Sequence, residues 1–144
     1  MLVCLECWQK KEECQCKTAN NSIMQYVEID DRIYPAIRNL NLLGYQTSFC
    51  CEGHTDERHT IQAYITFVCD KSEKMFEVLP EGWQYESYNY RKVKHYKYNI
   101  IRSIIPDSRQ IKRLTTEQKQ KIINANINSL IKWTESLQQR REGR

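Results

Sequence analysis

Four cysteines, Cys4, Cys7, Cys14 and Cys16, crowd into the segment CLECWQKKEECQC. Thiolates are soft ligands, and four of them in a tetrahedron at about 2.3 Å make a structural zinc site. A Cys-x-x-Cys pair carries two sulfurs to one ion across a tight turn. The second pair, Cys14-x-Cys16, is narrower and chelates only where the backbone between the two is extended. So short a segment has almost no core of its own. The spacing therefore predicts that Zn2+ replaces that core and that metal binding is folding energy. Loose thiols or two small disulfides are the alternatives. Seven cysteines are an odd count, which full pairing cannot use up. No basic stretch followed by an apolar one marks export, so a reducing, cytoplasmic compartment is expected, where lasting disulfides are rare.

A second reactive group is FCCEGH, residues 49–54. Cys50 and Cys51 are adjacent, so in a strand they point to opposite faces. One is expected in the core and the other at the strand end, near Glu52 and His54. Three readings stay open. Cys51 and His54 have the spacing of a metal half-site and could complete a zinc held by the N-terminal cysteines. Cys50 or Cys51 could be a nucleophile with His54 as its base. Packed cysteines before a glycine-containing loop are the structural reading, with Gly53 bending the chain so that His54 returns to the strand end. Cys69 is expected to be buried.

The third group is the basic aromatic run YESYNYRKVKHYKY. Tyr88 and Tyr90 share a face of one arm, Tyr96 and Tyr98 a face of the other. Arg91, Lys92, Lys94 and Lys97 supply cations between them. Rings interleaved with cations hold single-stranded nucleic acid on sheet surfaces, each stacked base contributing about 1–3 kcal/mol. Against that, tyrosine favours strands and lysine protects exposed edges. The charge distribution keeps the nucleic-acid reading open. Residues 1–90 hold 8 Lys/Arg against 14 Asp/Glu, a net of −6, whereas residues 91–144 hold 14 against 4, a net of +10. So basic a C-terminal third suits an anionic partner or an internal match to the acidic part. The terminal helix and the residues just before it add Lys112, Arg113, Lys119, Lys121 and Lys132. No run of about 18 apolar residues exists, so no membrane span is expected. Four glycines scattered singly leave no phosphate-cradling loop.

The elements that must position these groups fill one ordinary domain. Residues 1–17 read as the cysteine-rich zinc module, 17–22 (KTANNS) as a polar connector, and 23–144 as the main domain. EIDDRIYPAIRNLNLLGY predicts a helix capped by Asp30 or Asp31, with Pro35 in its first turn and Gly44 as its stop. YQTSFCC (45–51) and IQAYITFV (61–68) alternate as strands. DKSEKMFEVL carries a capping box for a short helix, from Asp70 to Glu73. WQYESYNY and VKHYKYNII are the arms of a hairpin. A long helix runs from about Thr115 to Arg140, with Ile123, Ile127, Leu130, Ile131, Thr134 and Leu137 on one face. The fold class expected is α+β: about four mostly antiparallel strands, helices on one face, and an N-terminal zinc-knuckle-like module.

With its cysteine-rich start, LNLLGYQTSFCCEGH, the strand ending YITF and then LPEGW, the chain resembles a family of small phage and prophage proteins of low-GC Gram-positive bacteria. The likeness covers about the first 85 residues. It implies a bacterial host cytoplasm and carries no activity with it. A fainter similarity joins TSFCCE, followed by Gly53 and His54, to the Thr-Ser-Ser-Cys-Ser-Gly-Arg segment of the wybutosine tRNA methyltransferase family, with the cysteine out of step by one. The leading expectation is a zinc-stabilised, macromolecule-binding protein, with nucleic acid the first partner considered. An enzyme using Cys50 or Cys51 with His54, or a protein acting on a host factor, are the other readings.

Overall fold

Apolar residues at helical spacing in residues 33–40 and 123–130 each need a partner surface, and the strands at 64–67 and 93–103 supply it. The computed structural model describes residues 1–16, 25–56, 58–70 and 73–142, for Glu142 the backbone alone. Its elements in order are β1 (Leu2–Cys4), β2 (Tyr26–Glu28), α1 (Tyr34–Leu42), β3 (Thr47–Cys51), β4 (Tyr64–Phe67), β5 (Trp83–Tyr90), β6 (Val93–Ser103), α2 (Ser108–Lys112) and α3 (Thr116–Glu142). The fold is α+β, with β1 and β2 in one antiparallel pair and a four-stranded antiparallel sheet in the order β3-β4-β6-β5. The connector at 17–22 lies outside the described residues.

The sheet is covered on one face. Ile65 and Phe67 of β4 and Ile101 of β6 are buried against Ile33, Ile37 and Leu40, and against Ile123, Ile127 and Leu130 of α3. Strand neighbours alternate, so the other face stays in solvent. Thr115 caps α3 as its sequence predicts: its hydroxyl accepts from the Gln118 amide at 3.1 Å, and Gln118 Oε1 accepts from the Thr115 amide at 2.9 Å. Trp133, absent from the expected apolar stripe, is also buried, and its indole N–H donates to Val78 O at 2.8 Å.

Two local expectations are corrected, and one further element is found. Helix α1 starts at Tyr34 with Ile33 at its cap and no side-chain cap bond, rather than at Asp30 or Asp31. Asp30 is turned away because its carboxylate accepts from the Glu52 amide at 3.2 Å. The helix expected from Asp70 is not formed in its described part: residues 73–79 are bends and irregular chain, held where Phe76 exchanges backbone hydrogen bonds with the Tyr85 hydroxyl at 2.8 Å, while 71 and 72 lie outside the described residues. Tertiary partners override a local capping signal there. The short α2, capped by Asp107 through the Gln110 amide at 2.9 Å, was not expected at all.

The hairpin β5–β6 closes on Arg91 and Lys92, both with positive φ (50° and 62°). This is the two-residue turn whose twist matches the strands, and it normally selects Asn-Gly. Lys92→Gly should therefore raise stability by about 0.5–1 kcal/mol, relief of left-handed strain outweighing the looser unfolded chain. A thermal melt should show a midpoint about 2 °C higher.

Candidate functional site

The N-terminal cysteines are built into a small ladder. Strand β1 pairs with β2 on one side and bridges to Lys10 on the other, through Val3. The Cys4 amide donates to Gln9 O, and the Trp8 amide donates to Cys4 O, both at 2.9 Å. Trp8 sits at φ 58°, which folds Cys4-x-x-Cys7 back as a knuckle. The Tyr34 hydroxyl on α1 then donates to Trp8 O at 2.8 Å and ties the knuckle to the main body. Val3 and Cys4 are fully buried, and Val3 belongs to the main core. Packing thus reaches into the leading segment, more than so short a stretch had been expected to supply.

The four sulfurs of Cys4, Cys7, Cys14 and Cys16 lie within 4.8 Å of one another, with Cys4 and Cys16 at 4.0 Å. Thiolates at about 2.3 Å from a common ion in a tetrahedron would be about 3.8 Å apart, so the set fits one metal ion with small contraction. Backbone amides already point at the sulfurs: Glu6 donates to Cys4 and Cys16 to Cys14, each at 3.4 Å. Burial pushes the Cys4 thiol up, but the Cys7 and Glu6 amides and the Cys14 and Cys7 thiols outweigh it and lower it to about 7. The Cys7 and Cys14 sulfurs, then burial, push Cys16 up to about 12. At Cys14 the Cys16 amide acts downward, yet burial and the Cys4 and Cys7 sulfurs carry the net shift upward. One thiol yields its proton readily and two hold theirs, as expected where like charges would share a small space. A divalent cation removes that conflict. The cluster can hold a metal ion.

His54 takes no part in that cluster. Cys51 and His54 group with Asp30 instead, at the far end of β2. Cys50 points to the core side, paired with Ile65, and burial pushes its thiol up to about 12. Burial raises the Cys51 thiol as well, ahead of the lowering Gly53 amide. Neither shift favours a free nucleophilic thiolate. Cys69 is half-buried against the core.

The aromatic residues divide between the faces of the ribbon. Tyr88 pairs with His95, and Glu86 with Lys97, on the open face; Ser87 pairs with Tyr96 on the helix side. Tyr88 stacks on His95 at 5.3 Å, and Lys97 Nζ lies 5.6 Å from the Tyr88 ring. Tyr90 carries Arg91 at 5.3 Å. Across the sheet Arg102 lies 5.3 Å from the Tyr64 ring, and Phe49 is 71% exposed. Among the described strand residues of this face Glu86 is the acidic one, and it is matched by Arg102 at 2.7 Å and Lys97 at 3.6 Å. Tyr96 and Tyr98 stack on the other side, with Lys94 5.6 Å from Tyr96. Lys92 is in the turn. Sequence reading missed Phe49, Tyr64, His95 and Arg102 as members of the open face, because they share it only through strand pairing.

Compared with known proteins, the chain matches no family, no curated protein and no solved structure. Among the described residues no helix is long and apolar enough to cross a membrane.

Proposed function

We propose that the chain is a zinc-stabilised, non-enzymatic protein that binds single-stranded nucleic acid on the open face of its four-stranded sheet. Zinc is the ion of choice because four thiolates around one centre suit a soft, redox-inert, tetrahedral metal. The observation that carries the binding reading is the run of rings and cations along one face: Phe49 and Tyr88 are exposed, and half-buried Tyr64 with Arg102 and half-buried His95 with Lys97 lie beside them. A sheet covered by helices on one side and presenting aromatic rings on the other is a recurring platform for stacking unpaired bases. The basic C-terminal third supplies the general field for a polyanion.

Fluorescence anisotropy with short single-stranded DNA and RNA across a salt series tests this. Affinity should be strongest at low salt and fall linearly on a log–log plot. Tyr88→Ala should weaken binding by about 1–3 kcal/mol, roughly 5- to 150-fold. Tyr96→Ala, on the opposite face, should change it far less. Absence of binding at low salt, or equal losses for the two variants, removes the reading.

A further inference from the structure

We propose that Asp30, Cys51 and His54 form a second, independent metal site, which takes a zinc-like divalent cation and leaves one coordination position to water. One ligand atom from each residue lies within 4.8 Å of the other two. His54 Nε2 is 3.6 Å from Asp30 Oδ2. Nitrogen and oxygen bonded to zinc at about 2.0–2.1 Å in a tetrahedron would be about 3.3 Å apart, so closure needs only tenths of an ångström on that edge. The residues come from two separate segments, the turn after β2 and the end of β3, so sequence spacing alone does not reveal the set.

Two local features prepare these side chains as ligands. The Glu52 amide donates to Asp30 Oδ2 at 3.2 Å and orients the carboxylate, the support that ligating carboxylates characteristically have. The Gly53 amide donates to Cys51 Sγ at 3.4 Å. The same step, from the amide two residues on and at the same distance, occurs at Cys4 and Cys14 in the four-cysteine cluster. Amide donors stabilise the thiolate form that a metal requires. Gly53, at φ 89°, bends Cys51-x-x-His54 into the turn that returns the imidazole to the sulfur.

The surroundings decide the fourth ligand. The site borders an open depression of about 450 Å³ whose lining sets Glu28, Asp31, Glu52 and Asp56 against two cations, Arg32 and the Met1 ammonium that pairs with Glu28 at 2.9 Å and Asp31 at 3.6 Å. That balance of charge attracts a cation and repels an anionic oxygen ligand, so water is the fitting occupant of the open position. Three protein ligands plus water leave one coordination position exchangeable, in contrast to closed four-thiolate structural sites. His59 lies alongside His54, with ring centroids 5.1 Å apart, and is engaged by Asp56 at 2.8 Å.

Metal content after dialysis against Zn2+, together with Co2+ titration of the full chain, tests the proposal. Wild type should hold two equivalents of zinc. Asp30→Asn and His54→Ala should each fall to one while keeping the intense thiolate-to-cobalt absorption of the four-cysteine cluster, and His54→Cys should restore two. The double variant Cys14→Ser/Cys16→Ser should lose the other equivalent and keep this one. Circular dichroism checks that each variant is folded, and Asp30→Asn, a near-isosteric change at a partly exposed residue, decides the matter if His54→Ala is not. A single equivalent in wild type that Cys14→Ser/Cys16→Ser abolishes, or two equivalents surviving in Asp30→Asn, overturns the second site. A single equivalent lost in Asp30→Asn would instead overturn the four-cysteine centre and leave this one standing.

Discussion

Cys4→Ser is expected to lower the thermal midpoint by on the order of 10 °C or more and to strip amide protection from residues 2–11, while β4, β6 and α3 keep theirs. Cys4 is the fully buried member of its cluster, and its backbone anchors the knuckle at Gln9 and Trp8. With a metal ion bound as proposed, losing one of four ligands weakens the ion's hold, and that hold is folding energy for a segment this short. Loss of a structural metal belongs to the small class of changes exceeding about 4 kcal/mol. The damage is bounded because the main core is assembled largely from α1, α3 and the large sheet; Val3 is its contribution from β1. A strong chelator should reproduce the effect in wild type and add little to Cys4→Ser. Midpoints within about 2 °C of each other for wild type, chelated wild type and Cys4→Ser would show that packing alone orders the segment.

Acid should act in the same direction. Cys14 and Cys16 are both raised, Cys16 to about 12, so both carry protons in the metal-free cluster at neutral pH. Loading the ion must expel at least those two protons. Apparent affinity should therefore fall as pH drops from 8 to 6, by about two log units or more per pH unit, measurable by competition with a chelating dye.

Gly53→Ala is expected to cost about 3 kcal/mol, a midpoint lowered by roughly 10 °C. Two independent penalties meet at this residue. Its φ of 89° is one that L side chains rarely adopt, and a Cβ there would lie 2.4 Å from Ile61 O and 3.0 Å from Ile61 C. The obstruction is backbone, which cannot rotate away as a side chain could. The chain must then shift either the loop bearing His54 or the start of the Ile61 segment, whose side chain is buried. Gly44→Ala makes the useful comparison, since φ there is 96° but nothing lies within 4 Å of its added Cβ. Its loss should reflect backbone strain alone, about 1 kcal/mol. Equal losses at the two positions would show that the Ile61 contact yields freely.

Legibility from sequence followed the range of the interaction. Thr115 with Gln118, and Gly44, are local devices, and each acts where its residues suggest; the hairpin was legible from its two strand-like arms, although Arg91 and Lys92 are unusual residues for its turn. The four cysteines converge within one short segment, so their spacing carried the site. What stayed hidden depends on contacts between distant segments. Asp30 resembled a helix cap because its bond to Glu52 is made 22 residues away. The Asp70 segment carried a capping signal, but Tyr85 holds Phe76 in irregular chain. Strands β1 and β2 are three residues each, too short for alternation to register.

The distal hairpin, with solvent on both sides beyond Glu86 and Lys97, also behaves as a gauge of fixed pitch. Its rungs alternate between two surfaces, so excising Asn89 and Tyr90 together with Val93 and Lys94 shortens it by two rungs and keeps Tyr88 opposite His95. Excising one residue from one arm instead slides every later partner and swaps the face to which each later residue of that arm points. Length in this ribbon is therefore adjustable only in even increments, and a relative that has lost or gained an odd number there would have to compensate with a new bulge.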